Sequence, residues 1–193
     1  MDKYIIVAYI KSYMIVGIRS ESKEGNKIVR KLALIFMLTF LLSMLASIQA
    51  PARVQSFSLR NLDGDLVKLD DYLGKGPIIL DFWATWCKPC VKSLPKLQKL
   101  YEAYKDKGLI VLGINEDGPR SLSKVEPFAN SLGLTFPILL DENREVVRKY
   151  QVSGFPTMII IDRNKKIVNT IIGYRPGDEK KLKVQIEALL KEK

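Results

Sequence analysis

Read for apolar and polar positions alone, the chain divides into segments with recognisable periods. Leu32 to Ile48 is an uncharged apolar run, preceded by Arg30-Lys31 and followed by Gln-Ala-Pro-Ala. Ser56-Phe-Ser-Leu-Arg and Leu66-Val-Lys-Leu alternate apolar and polar residues around Asn61-Leu-Asp-Gly-Asp, which predicts a β-hairpin. Asp70 to Gly74 predicts a capped single helical turn. Gly76-Pro-Ile-Ile-Leu-Asp-Phe-Trp is a short apolar run opened by a turn signal, the pattern of a buried strand. Val91 to Lys107 carries Leu94, Leu97, Leu100, Tyr101 and Tyr104 at helical spacing. Leu109 to Asn115 predicts a second buried strand, and Ser121 to Leu132 a helix that Pro127 must delay or kink. Phe136 to Asp141 predicts an extended segment and Asn143 to Tyr150 a short helix. Met158 to Asp162 and Ile167 to Ile172 flank the polar turn at Arg163 as an antiparallel pair, and Asp178 to Leu190 closes the chain as an amphipathic helix. Strands alternate with helices first and pair as a hairpin later, so the predicted fold is α/β, a mixed sheet with helices on both faces.

A chain of 193 residues, 47% apolar, accommodates one domain with a sizeable core. The expected division is a leader over residues 1–52 and a domain over 53–193. Of the net charge of +10, part belongs to the leader; from Arg53 onward 24 bases face 18 acids, a net +6. That mild excess lacks an Arg-rich stripe with interleaved aromatics, and so does not call for nucleic acid. Basic, apolar and small-residue parts make the leader a secretory signal, with cleavage after Ala50 or Ala52. At 17 residues the 32–48 run is also at the short limit of a membrane span, so an uncleaved anchor is the alternative. Either reading exports the domain beyond the run, because the positive flank stays inside. No cysteine lies near the end of the run, which closes the lipoprotein route. Tyr4 to Ile18, apolar but broken by Lys11, has no signal architecture; initiation at Val29 would leave a compact signal, and a long cytoplasmic leader is the competing view.

The chemistry gathers at Asp81 to Cys90, Asp-Phe-Trp-Ala-Thr-Trp-Cys-Lys-Pro-Cys, which holds the only two cysteines of the chain. Cys87 falls between the predicted strand and helix. There the unpaired N–H groups and positive end of the helix dipole stabilise a thiolate, the form of sulfur that attacks disulfides. Pro89 suits the first helical turn, where no N–H is missed. A structural zinc site needs four ligands, and two cysteines without histidine do not supply them. Covalent haem attachment needs His after the second cysteine, where Val91 stands. A purely structural disulfide remains open, although so short a loop constrains the unfolded chain little. Without histidine there is no Ser-His or Cys-His dyad.

This stretch resembles the active site of the thioredoxin superfamily, Trp-Cys-x-x-Cys after a strand ending Asp-Phe-Trp-Ala, and the hairpin and Gly-Lys-Gly turn before it resemble the exported TlpA/ResA-like branch. The resemblance spans about residues 54 to 192. It implies a thioredoxin-like fold with an N-terminal hairpin and a central strand-helix insertion over 136–150. It also implies a thiol-disulfide oxidoreductase in which Cys87 attacks a substrate disulfide and Cys90 resolves the adduct, with Cys87 and Cys90 forming the redox-active disulfide. By the same resemblance Asp81 is a buried acid behind Cys90 that accepts its proton. Pro156 matches the family's cis proline facing the cysteines, with Phe155 and Thr157 beside it. Trp86 covers the sulfur and meets substrate, Trp83 packs beneath, and Lys88 places a cation between the cysteines. Lys92, Lys96 and Lys99 continue as a solvated face.

One departure stands out. ResA-like proteins carry a glutamate three residues past the second cysteine, and Ser93 occupies that place here. This weakens transfer of the ResA task of reducing the haem-binding cysteines of apocytochrome c. The expected partners are protein disulfide substrates and a membrane-side electron donor, with a monomeric protein, no cofactor and no metal. Alternatives are a dithiol oxidase working in reverse and a carrier holding Cu(I) on the two thiolates, with Met158 the one nearby soft neighbour. A peroxiredoxin resembles this domain at the hairpin, but its Thr lies three residues before a lone reactive Cys, whereas Thr85 lies two before Cys87.

Overall fold

The computed structural model describes residues 23–45 and 53–192. The chain divides into two units, Met1–Ala50 and Pro51–Lys193. In the first, α1 (Lys23–Leu45) takes in the basic pair and most of the apolar run. Among the described residues no helix is long and apolar enough to cross a membrane. The end of the apolar run, the cleavage positions Ala50 and Ala52, and Tyr4 to Ile18 lie outside the described residues.

The second unit opens with the predicted hairpin, β1 (Ser58–Asn61) and β2 (Leu66–Lys68), paired antiparallel. A 3-10 turn at Leu69–Asp71 follows, and its N-terminal position Lys68 offers no side-chain cap, so the expected capped turn is uncapped. Then come β3 (Ile78–Trp83), α2 (Lys88–Tyr104) and β4 (Ile110–Asn115). The segment predicted as one helix over Ser121 to Leu132 starts late: a 3-10 stretch, Pro119–Lys124, precedes α3 (Val125–Ser131). Pro127 thereby sits in the first turn of α3, where its missing N–H breaks no helical bond. Pro95 lies inside α2, a break in the ladder that its apolar spacing did not signal. The chain ends with β5 (Ile138–Leu140), α4 (Glu145–Lys149), β6 (Thr157–Ile161), β7 (Ile167–Ile172) and α5 (Asp178–Lys191).

Among the described residues these strands form one mixed sheet in the order β2-β1-β5-β4-β3-β6-β7. The three central strands β5, β4 and β3 run parallel, β6 runs antiparallel to β3, and β7 pairs antiparallel with β6. The hairpin joins this sheet through β5, with Arg60 opposite Leu140. Because β3 is covered on both faces, all six of its residues are buried, and alternation sends them to two cores. Ile79 and Trp83 pack with Leu94, Leu97 and Leu100 of α2, Val125 and Ala129 of α3, and Leu182 and Ile186 of α5. Ile78, Leu80 and Phe82 pack on the other face with Leu69, Val146 and Val147. Asp81 falls in step with Ile79 and Trp83, so an acid occupies the α2 face of the most buried strand.

Candidate active site

The turn after β3 carries the chain from Trp83 into α2. Cys87 is the N-cap residue of that helix, in extended conformation, and its backbone N–H donates to the Ala84 carbonyl at 3.1 Å. Its Sγ accepts from the N–H of Cys90 at 3.2 Å, the role a Ser or Asp oxygen plays at other helix starts. The same N–H also donates to the Cys87 carbonyl at 3.0 Å, so the donor is shared between that oxygen and the sulfur at the positive end of the helix. Pro89 lies in the first turn, as the spacing required. Cys87 and Cys90 are joined as a disulfide, with Cα atoms 5.2 Å apart. Cys87 retains 5% exposure and Cys90 none, the asymmetry expected of an attacking and a resolving sulfur.

Asp81 has no exposed surface, and among the described residues neither carboxylate oxygen has a hydrogen-bond partner. Burial without compensation pushes its pKa up from 3.8 to about 7. It stands on the same sheet face as the α2 core that contains Cys90 and Leu94. Ser93, at the place of the ResA-like glutamate, is also buried and donates its hydroxyl to the Cys90 carbonyl at 3.2 Å. Among the residues of β3, Asp81 is the acid that alternation places on this face.

The Phe155–Pro156 bond is cis. Pro156 is buried, its carbonyl accepting from the Gly173 N–H at 2.7 Å, and Thr157 is buried with its hydroxyl on the Gly154 carbonyl. Among the described residues neither the N–H nor the C=O of Phe155 makes a hydrogen bond, which leaves both for an extended polypeptide. A cleft of about 430 Å³ lies between these parts, lined by Trp86, Cys87, Lys88, Pro89 and Phe155 among others. Trp86 is 63% exposed and meets Phe155 edge-on at 5.8 Å, while Trp83 is buried and stacks on Phe128. Trp86 borders the cleft beside Cys87. Lys88, Lys92, Lys96 and Lys99 are all exposed.

Three contributors escaped the sequence reading. Asp117 is fully buried and receives both donors of Thr85, the N–H at 2.8 Å and the hydroxyl at 2.7 Å. Beside it Glu116 is buried with its carboxyl raised to about 9, first by burial and then by the neighbouring charge of Asp141. Arg144 lines the cleft from the loop before α4. A signal existed for the first two: adjacent acids directly after a parallel apolar strand stand where open α/β sheets place their sites.

The family model described as the AhpC/TSA family matches residues 50–170. The chain belongs to the AhpC/TSA family. Within it, the chain is 38% identical over 133 residues to the thiol-disulfide oxidoreductase ResA of Geobacillus thermodenitrificans (strain NG80-2), covering 69% of this chain and 74% of that one. It is 36% identical over 141 residues to the thioredoxin-like protein YneN of Bacillus subtilis (strain 168), covering 72% and 81%. Among solved structures it is similar to a putative thiol:disulfide interchange protein DsbE from Chlorobium tepidum. That match has a TM-score of 0.68 and 35% identity over 75% of this chain and 99% of that one. This AhpC/TSA member is a thioredoxin-like thiol-disulfide oxidoreductase.

Proposed function

We propose that this protein is an exported, monomeric reductase of disulfides in extracytoplasmic proteins, delivered by its leader and either released or held at the membrane through residues 32–48. The observation that carries the reading is the pairing of a helix-capping Cys87 sulfur with a fully buried Cys90 and an unpartnered buried Asp81 on one side of the sheet. Similarity to ResA and DsbE proteins supports it. In the reduced protein the Cys87 thiolate attacks a substrate disulfide, forming a mixed disulfide and expelling one substrate thiolate. Asp81 accepts the proton of Cys90, whose sulfur then attacks Cys87 and releases the second substrate thiol. Two electrons pass to the substrate, and the Cys87–Cys90 disulfide results. A dithiol donor on the membrane side restores it. Trp86, Lys88, Pro89, Phe155, Pro156 and Thr157 form the substrate-facing surface.

Reduction of the cysteine pair of an apocytochrome c falls within this class, and trapping decides whether it is the reaction. A Cys90→Ser protein expressed in its own cell is expected to hold substrates on Cys87 as mixed disulfides. Absence of adducts, or full activity in Cys87→Ser, overturns the enzyme's proposed course. A reduction potential near about −270 mV agrees with a reductase, and one near about −120 mV assigns the reverse, oxidase direction. Copper titration of the reduced protein separates a Cu(I) carrier, whose two soft thiolates would bind without turning over disulfides.

A further inference from the structure

The cleft beside the disulfide is lined by two cations, Lys88 and Arg144, and among the described residues by no Asp or Glu. Lys88 is an exposed side chain on the helix surface, whereas the backbone that carries Arg144 is held by hydrogen bonds. Its backbone adopts a left-handed conformation, φ 56°, and its N–H donates to the Asp141 carbonyl at 2.8 Å. The buried Asp141 carboxylate pins the following turn by accepting from the N–H groups of Glu145, Val146 and Val147 at 2.8, 2.9 and 3.0 Å. From this anchored base the guanidinium lies over the Phe155 ring, 5.9 Å from its centroid. Phe155 in turn meets Trp86, so Arg144, Phe155 and Trp86 make one continuous wall.

Behind the arginine stands Glu116, the one acid within ion-pair reach of it among the described residues. Arg144 Nε is 3.9 Å from Glu116 Oε2, beyond hydrogen-bond length, and the Glu116 side chain is wholly buried while that of Arg144 is 56% exposed. Glu116 therefore does not satisfy the guanidinium. Burial and Asp141 raise its carboxyl to about 9 against the pull of Arg144, which disfavours the charged form that would cancel the arginine. A planar cation held over an aromatic ring, with donors to spare at the mouth of a cleft, is suited to a carboxylate.

We propose that Arg144, with Lys88 as a second cation, makes the cleft select polypeptides that carry an Asp or Glu beside the disulfide attacked by Cys87. This rests on the reductase reading above and names its substrate class as acidic segments. Arg144 acts as a specificity-determining residue, since it faces the flanking sequence and not the exchanging sulfurs.

The test uses the full chain, reduced beforehand, and two synthetic disulfide peptides that differ only in having Glu or Lys next to the disulfide. Second-order rate constants are measured for each. Wild type is expected to favour the Glu peptide by about fivefold at low salt, and the preference to shrink toward unity at about 1 M salt. Arg144→Gln lowers that ratio, and Arg144→Lys restores part of it. A cation that served only to hold the Cys87 thiolate would change both rates together and leave the ratio alone. The proposal is overturned if wild type reduces both peptides equally, if its preference ignores salt, or if Arg144→Gln keeps the wild-type ratio. Should Arg144→Gln fold poorly, Arg144→Met carries the same comparison. Reduction of neither peptide is a different result, because it overturns the reductase reading itself.

Discussion

Thr85 gives both of its donors to one carboxylate, that of Asp117, at 2.8 and 2.7 Å, and the Asn115 amide adds a third bond to it at 2.9 Å. The end of β4 thereby fixes the turn that carries Trp86 and Cys87 at the end of β3. Since Asp117 is fully buried, an Asp117→Ala variant leaves the Thr85 and Asn115 donors without their acceptor. Hydrogen bonds to a buried charged group are worth about 1.5 to 3 kcal/mol each, so a loss of about 2 kcal/mol or more is expected in denaturant unfolding. The same variant is expected to slow attack by Cys87 even where it stays folded. Equal stability and equal reactivity would show that the turn holds itself.

Asp81 makes stability depend on pH with an unusual sign. With the disulfide closed its pKa is about 7 in the folded protein, against 3.8 for the ordinary residue. Between those values the unfolded chain has released the proton while the folded chain keeps it, so stability from this group falls as pH rises and levels off above about 7. Three pH units amount to about 4 kcal/mol. In Asp81→Asn this loss is absent, and the difference in unfolding free energy between variant and wild type is expected to tilt toward the variant from pH 4 to 7. Glu116, raised in the same direction, is present in both proteins and cancels. A constant difference across that range would place the Asp81 proton elsewhere.

Much of this was legible because burial wrote itself into runs and periods. The β3 run, the α2 spacing and the paired cysteines each follow from a local rule, and Asp81 announced itself by interrupting an apolar strand. Pro127 yielded the late start of α3 because the effect of proline on a helix is local. For Asp117 and Glu116 only the position after an apolar strand was legible; their partners, like that of Arg144, lie 28 to 32 residues away and only the sheet order brings them together. The missing cap at Lys68 has a similar cause: the Leu69 N–H is satisfied by Phe57 across the hairpin, a tertiary bond that replaces a local one.

Gly113 faces Asp81 across the β3–β4 ladder and has its own reason to lack a side chain. A Cβ there would lie 2.9 Å from a Phe136 ring carbon and 3.1 Å from Trp83 Nε1. Both rings are buried in the core under the active site and have little room to retreat. Gly113→Ala is expected to cost about 1 to 3 kcal/mol through overpacking. The displacement of Trp83 is expected to alter its fluorescence, which checks the route as well as the size of the effect. An unchanged emission with full stability would mean that Phe136 moves freely.

The two cysteines differ in burial and in what reaches them, and this predicts their order of reaction. Cys87 keeps some surface and takes the Cys90 N–H on its sulfur; Cys90 is enclosed by the α2 core. Helix N-termini favour the thiolate, and apolar enclosure disfavours it. In the reduced protein at neutral pH, alkylation followed by mass spectrometry is therefore expected to label Cys87 at least about tenfold faster than Cys90. Cys87→Ser should leave a protein that labels slowly, and Cys90→Ser one that labels fast. Should both thiols react at the rate of free cysteine, the helix start gives Cys87 no advantage, and the assignment of attacking and resolving roles fails with it.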